Sequence, residues 1–120
     1  MSKLLFLPGY FERLDAGRDV IDLLADDFTF SLLWATSDGA QEFAGGLEAF
    51  NGYMAQRDPD GQLHHISHSV REGSTEIASG STTRYGEPLG TFLFAVELDE
   101  SGRMRRLFAA RTETFHGVPF

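Results

Sequence analysis

The chain has 120 residues, a net charge of −8, no cysteine and eleven phenylalanines. That length makes one domain, residues 1–120, with a single sizeable core, and the negative balance argues against nucleic acid or an anionic membrane, both of which demand a basic footprint. Without cysteine there is no disulfide, no thiolate nucleophile and no Cys-built metal site.

An apolar fraction of 42% is ordinary, so the phenylalanines predict an aromatic interior. The apolar run Leu4–Leu7 ends at Pro8-Gly9, too short for a signal-peptide core or a membrane span. A cytoplasmic protein is expected, with Lys3–Leu7 as an arm that packs on a neighbour. Tyr10, Phe11 and Leu14 fall at helical spacing, and so do Val20, Ile21, Leu23 and Leu24. Gly17 suits a left-handed cap between these two helices. Asp26-Asp27 stop the pattern, and Phe28, Phe30, Leu32 and Trp34 then alternate with smaller or polar residues as a strand does.

Residues 35–42 read as a polar loop at the mouth of a cup. Leu47, Phe50, Tyr53 and Met54 mark a third helix, although Gly52 inside it costs about 1 kcal/mol relative to Ala. Asp58-Pro59-Asp60-Gly61 is a turn. From Leu63 the chain reads as a meander: strands at Leu63–Arg71, Thr75–Tyr85, Thr91–Leu98 and Met104–Phe115, with turns at Glu72-Gly73-Ser74, Gly86-Glu87-Pro88 and Asp99–Gly102. Helices first and antiparallel strands after is an α+β pattern.

Three stretches carry a resemblance: Tyr10-x-x-x-Leu14-Asp15-Ala16-Gly17, Ala25-Asp26-Asp27-x-x-Phe30 and Ala44-Gly45-Gly46-x-x-Ala49-Phe50. Together with the long meander they resemble the nuclear transport factor 2-like superfamily, which includes SnoaL-like polyketide cyclases and ketosteroid isomerases. The resemblance spans nearly the whole chain. It implies a cone-shaped α+β barrel of about three helices over a curved, mostly antiparallel sheet, and a homodimer. A dimeric ferredoxin-like barrel fits the helix-first order less well. The resemblance secures a fold more than a reaction, because one fold hosts many activities.

Candidate chemistry centres on His64-His65-Ile66-Ser67-His68. On a helix His64 and His68 would suit zinc, but Ile66, Ser69 and Val70 favour a strand. There the two imidazoles lie about 13 Å apart at 3.3 Å per residue, too far for one ion bound at roughly 2 Å. No metal site and no cofactor are expected. His64, Ile66, His68 and Val70 share one face, taken as the inner one. Either histidine can be a general acid or base, or a hydrogen-bonded structural residue.

Tyr10 matches, by resemblance, the tyrosine that gives ketosteroid isomerases an oxyanion donor. It equally suits a core tyrosine with a satisfied hydroxyl. The same alignment puts the family's base aspartate near Leu32 and its second donor near Phe94, and neither residue can do that work. Asp38 is a candidate base in the 35–42 loop, or a turn residue. Arg111 resembles weakly an arginine of the family's last strand. The expected pocket is lined by Phe30, Leu32, Trp34, Phe50, Tyr53, His64, His68, Phe92 and Phe94. It would hold a small hydrophobic carbonyl compound for cofactor-free isomerisation, dehydration or cyclisation. The alternative is a non-catalytic homodimeric module using the outer sheet face.

Overall fold

The computed structural model describes residues 5–113. The element order is α1 (Phe6–Asp15), a single 3-10 turn (Ile21–Leu23), β1 (Leu24–Thr36), β2 (Gly39–Gly45), α2 (Leu47–Ala55), β3 (Gln62–Glu72), β4 (Thr75–Arg84), β5 (Glu87–Leu98) and β6 (Met104–Glu113). The strands form one six-stranded sheet in the order β2-β1-β6-β5-β4-β3. All neighbours are antiparallel except β1 and β6. Two helices lie on one face, α1 against β3 and β4, α2 against β1 and β2.

α1 turns Leu7, Tyr10, Phe11 and Leu14 onto the sheet, a spacing that keeps one stripe of a helix buried. Pro8 sits in its first turn, where a missing N–H costs nothing. The helix therefore begins at Phe6, ahead of the Pro8-Gly9 pair expected to bound it. Its first two N–H groups are taken by a carboxylate far along the chain: Phe6 donates to Glu76 Oε2 at 2.8 Å and Leu7 to Glu76 Oε1 at 2.7 Å. Its C-terminus closes as a Schellman cap. Gly17 has φ +69°, Gly17 N–H donates to the Leu14 carbonyl, and Arg18 N–H donates to the Arg13 carbonyl.

Four expectations are corrected here. The second helix is one 3-10 turn, because the Asp19 side chain accepts the Ile21 N–H and the chain is extended again at Leu24. Among the described residues the sheet thus carries two α-helices. Asp26-Asp27 lie inside β1, exposed where its register with β6 slips, opposite Arg103 and Arg105. Residues 35–42 are a hairpin instead of a loop. β1 runs to Thr36, Ser37-Asp38 turn, and Gly39 (φ +124°) starts β2. β5 starts at Glu87, earlier than Thr91, with Pro88 accommodated beside a bulge in β4–β5 pairing. The part of the last expected strand beyond Glu113, and the Lys3–Leu7 arm as far as Leu4, lie outside the described residues.

The core is aromatic, as the composition suggested. Phe28 and Phe30 meet Phe50 edge-on at 5.1 Å each, and Phe11 meets Phe92 and Phe94 at 5.0 Å each. Edge-to-face pairs add about 1 kcal/mol beyond the area they bury. Among the described residues no helix is long and apolar enough to cross a membrane.

Candidate functional site

β3 decides which histidine faces in. Gln62, His64 and Ile66 alternate inward, but Ile66 pairs with Gly80 and His68 with Ser79, so Ser67 is an extra residue on this strand. Such a bulge shifts the alternation by one. Beyond it Ser69 and Arg71 face inward, while His68 and Val70 are exposed. His68 is therefore corrected: it does not share the inner face with His64.

His64 is held from two directions. Its backbone N–H donates to Asp15 Oδ2 at 2.9 Å, and its Nδ1 lies 2.6 Å from Asp15 Oδ1. Its ring stacks on Phe11 at 4.5 Å with the planes 5° apart and meets the edge of Phe92. A carboxylate on Nδ1 fixes that nitrogen as the protonated one, leaving Nε2 as the basic position. Burial lowers the His64 pKa more than Asp15 raises it, so the neutral form is favoured at pH 7. Asp15 went unnoticed as a site residue because it also ends a helix beside Ala16-Gly17, where an aspartate is unexceptional.

Behind this pair lies a cluster of buried polar groups. Arg111, on β6, reaches Tyr53 Oη at 3.3 Å and Glu113 Oε1 at 3.4 Å, and its guanidinium lies 5.7 Å from the centre of the Trp34 ring. Arg57 Nη2 donates to Gln62 Oε1 at 3.1 Å. Burial and the neighbouring Arg111 charge both pull the Arg57 pKa below its ordinary value. Tyr10 stands within the field of Tyr53, Arg57 and Arg111, and burial raises its pKa, keeping the phenol protonated. Arg57 and Gln62 carried no sequence signal beyond flanking the Asp58–Gly61 turn.

Two openings approach these groups. A chamber of about 180 Å3 is lined by Trp34, Tyr53, Arg57, Gln62, Arg111 and Glu113, with Gln56, Asp58 and Arg84 at its edge. A groove of about 500 Å3 between α1 and β3 is lined by Pro8, Phe11, Asp15, Leu63, His64 and Ile66 with Glu12 and Ala16.

The expected pocket wall is brought together only in part. Trp34 and Tyr53 line the chamber and His64 the groove. Leu32, Phe50, Phe92 and Phe94 are packed into the core and line none of the described cavities, and Tyr10 is likewise enclosed. Phe30 reaches only a shallow depression beside Phe108 and Arg106, its side chain buried against Phe50. The cup is filled by its own rings. Asp38 is corrected as well: it is exposed at the β1–β2 hairpin tip, away from both openings.

No family model matches the sequence, and no curated protein matches it. Solved structures do. A candidate ketosteroid isomerase from Kribbella flavida superposes with a TM-score of 0.65 at 17% identity, covering 95% of this chain and 80% of that one. IdmH, a candidate polyketide cyclase from Streptomyces antibioticus, gives 0.67 at 14% identity over 88% of each chain. A candidate SnoaL-like isomerase from Agrobacterium tumefaciens gives 0.60 at 15% identity, covering 88% of this chain and 92% of that one. Likeness at these identities establishes architecture, and the architecture of this chain is the α+β cone of SnoaL-like and nuclear transport factor 2-like proteins.

Proposed function

We propose that the chain is a SnoaL-like acid–base protein acting on a small carbonyl compound. The observation that carries this reading is the Asp15–His64 pair: one carboxylate fixes both the backbone and the ring of a buried, neutral histidine at the edge of a groove. His64 Nε2 takes a proton from the carbon beside the carbonyl and returns it elsewhere, which is isomerisation, or its elimination and cyclisation variants. Asp15 stabilises the imidazolium that forms in between. Arg111 acts on His64 through space, and its field favours the developing enolate; Tyr10, enclosed in the core, makes no contact with it. A neutral base within the field of a fixed cation is the division of labour such chemistry needs.

The test is washout of α-protons from 2-tetralone and cyclohexanone in D2O, followed by NMR. Exchange above the buffer rate is expected, slowed roughly a hundredfold in His64→Gln. Exchange that is absent, or unchanged in that variant, overturns the reading.

A second reading has its own observation. The rings of Phe28, Phe30, Phe50, Phe92 and Phe94 leave the cone packed, as a non-catalytic module requires. On the outer sheet face, Phe108 faces Ala95, Ala95 faces Ile77 and Ile77 faces Val70 in register. Three of these are large and exposed, Phe108 and Val70 at 57% and Ile77 at 40%. We assign this row to a second copy of the chain, making a homodimer under either reading.

A further inference from the structure

The chamber beside Arg111 is short of acceptors. Trp34 Nε1 and Gln62 Nε2 are buried N–H donors without a hydrogen-bond partner among the described residues. Both residues line the chamber, and Gln62 is only 2% exposed. The Gln62 amide cannot be turned to hide its donor, because its oxygen already accepts from Arg57. Buried donors left unpaired cost about 1–3 kcal/mol each, so two in one cavity mark a place where an acceptor belongs.

Charge points the same way. Three guanidiniums, Arg57, Arg84 and Arg111, face the chamber, with two carboxylates, Glu113 and Asp58. Asp58 is occupied by Arg84, which donates to its side chain at 3.2 Å and to its backbone carbonyl at 2.9 Å. Glu113 then remains for Arg111, 3.4 Å away, while the hydrogen-bond partner of Arg57 among the described residues is the neutral Gln62 amide, with Asp15 acting on it through space. A chain of net charge −8 has thus concentrated positive charge and free donors in one half-enclosed spot.

We infer that this chamber binds a monocarboxylate on a small apolar body, with the carboxylate oxygens on Arg57, Gln62 Nε2 and Trp34 Nε1 and the body against the Trp34 and Tyr53 rings. Guanidinium forks match a planar carboxylate, and the single surplus charge suits a monoanion better than a phosphate dianion. His64 lines the groove and not this chamber, so the binding claim does not depend on proton transfer.

The probes are benzoate, its neutral isostere benzamide, and inorganic phosphate, titrated calorimetrically against the full chain with Trp34 emission as a second signal. Benzoate is expected to bind at least about tenfold tighter than benzamide and than phosphate. Arg57→Met should abolish that preference. Should that variant fail to fold, judged by circular dichroism, Trp34→Phe removes one donor while keeping a ring and should weaken benzoate several-fold with benzamide unaffected. Equal binding of benzoate and benzamide, tighter binding of phosphate, or no binding of benzoate at millimolar concentrations overturns the inference. A protein that binds benzoate but exchanges no ketone protons keeps this site and loses the acid–base reading.

Discussion

His64 carries two opposing influences, and the balance between them is measurable. Burial among Phe11 and Phe92 disfavours the imidazolium, while Asp15 favours it, and burial wins. The folded state therefore binds a proton less readily than the unfolded chain, whose histidines titrate near 6.5. His64 then contributes stability that is fully present above that value and is lost as pH falls through the lower folded one. Acidifying from pH 7 towards 5 should lower the melting temperature, with a slope from this group of at most about 1.4 kcal/mol per pH unit. His64→Phe, which keeps a ring on Phe11, should flatten that slope; an unchanged slope rejects the assignment. Asp15→Asn should move the His64 pKa lower still, read from its imidazole resonances by NMR, because the one favourable partner of the cation is gone.

At the scale of elements, one carboxylate anchors a helix. Glu76 on β4 is wholly buried and accepts the first two N–H groups of α1, with Arg71 Nη1 3.9 Å from its Oε2. A negative charge there also faces the positive end of the helix dipole. Glu76→Ala should destabilise by about 3 kcal/mol in chemical denaturation, since it strands one buried and one half-buried donor; a loss below about 1 kcal/mol would mean water replaces the carboxylate. A second test concerns Gly80, opposite the β3 bulge: a Cβ there would stand 1.9 Å from the His65 carbonyl oxygen. Gly80→Ala should cost about 2 kcal/mol or more. Features of this kind lie beyond local sequence pattern. Period and turn chemistry located β3 to β6 and both α-helices, because Leu47, Phe50 and Tyr53, or Tyr10, Phe11 and Leu14, keep their spacing without help from elsewhere. The bulge at Ser67 has no such local signature, so the outward turn of His68 was invisible. The Glu76 clamp and the Asp15–His64 pair join residues 70 and 49 positions apart, which no local pattern can report.

For the molecule as a whole, packing and charge are divided cleanly. Rings fill the cone on one side of the sheet, polar groups gather at one end around Arg111, and the outer face is apolar enough to want a cover. If that cover is a second copy, Phe108→Glu should turn a dimer into a monomer in sedimentation equilibrium at micromolar concentration, with helix and strand content unchanged by circular dichroism. A wild type that sediments as a monomer at high micromolar concentration rejects the interface. The outward patch was not legible in the sequence, because Val70 falls on the inner face by simple alternation and only the Ser67 bulge turns it outward.

The parallel pairing of β1 with β6 has a kinetic side. Leu32 pairs with Ala109, so the sheet is completed between the first strand and the last. β3, β4, β5 and β6 can zip up as successive hairpins, each closing a short loop, whereas β1 must wait until nearly the whole chain is present. Loop closure of that length is slow, and folding rates fall as contacts become less local. During synthesis, α2 follows directly and can cover Phe28 and Phe30 with Phe50, but the edge of β1 that pairs with β6 stays open. How long that edge waits is set by topology, and the wait ends only when Met104–Glu113 arrives.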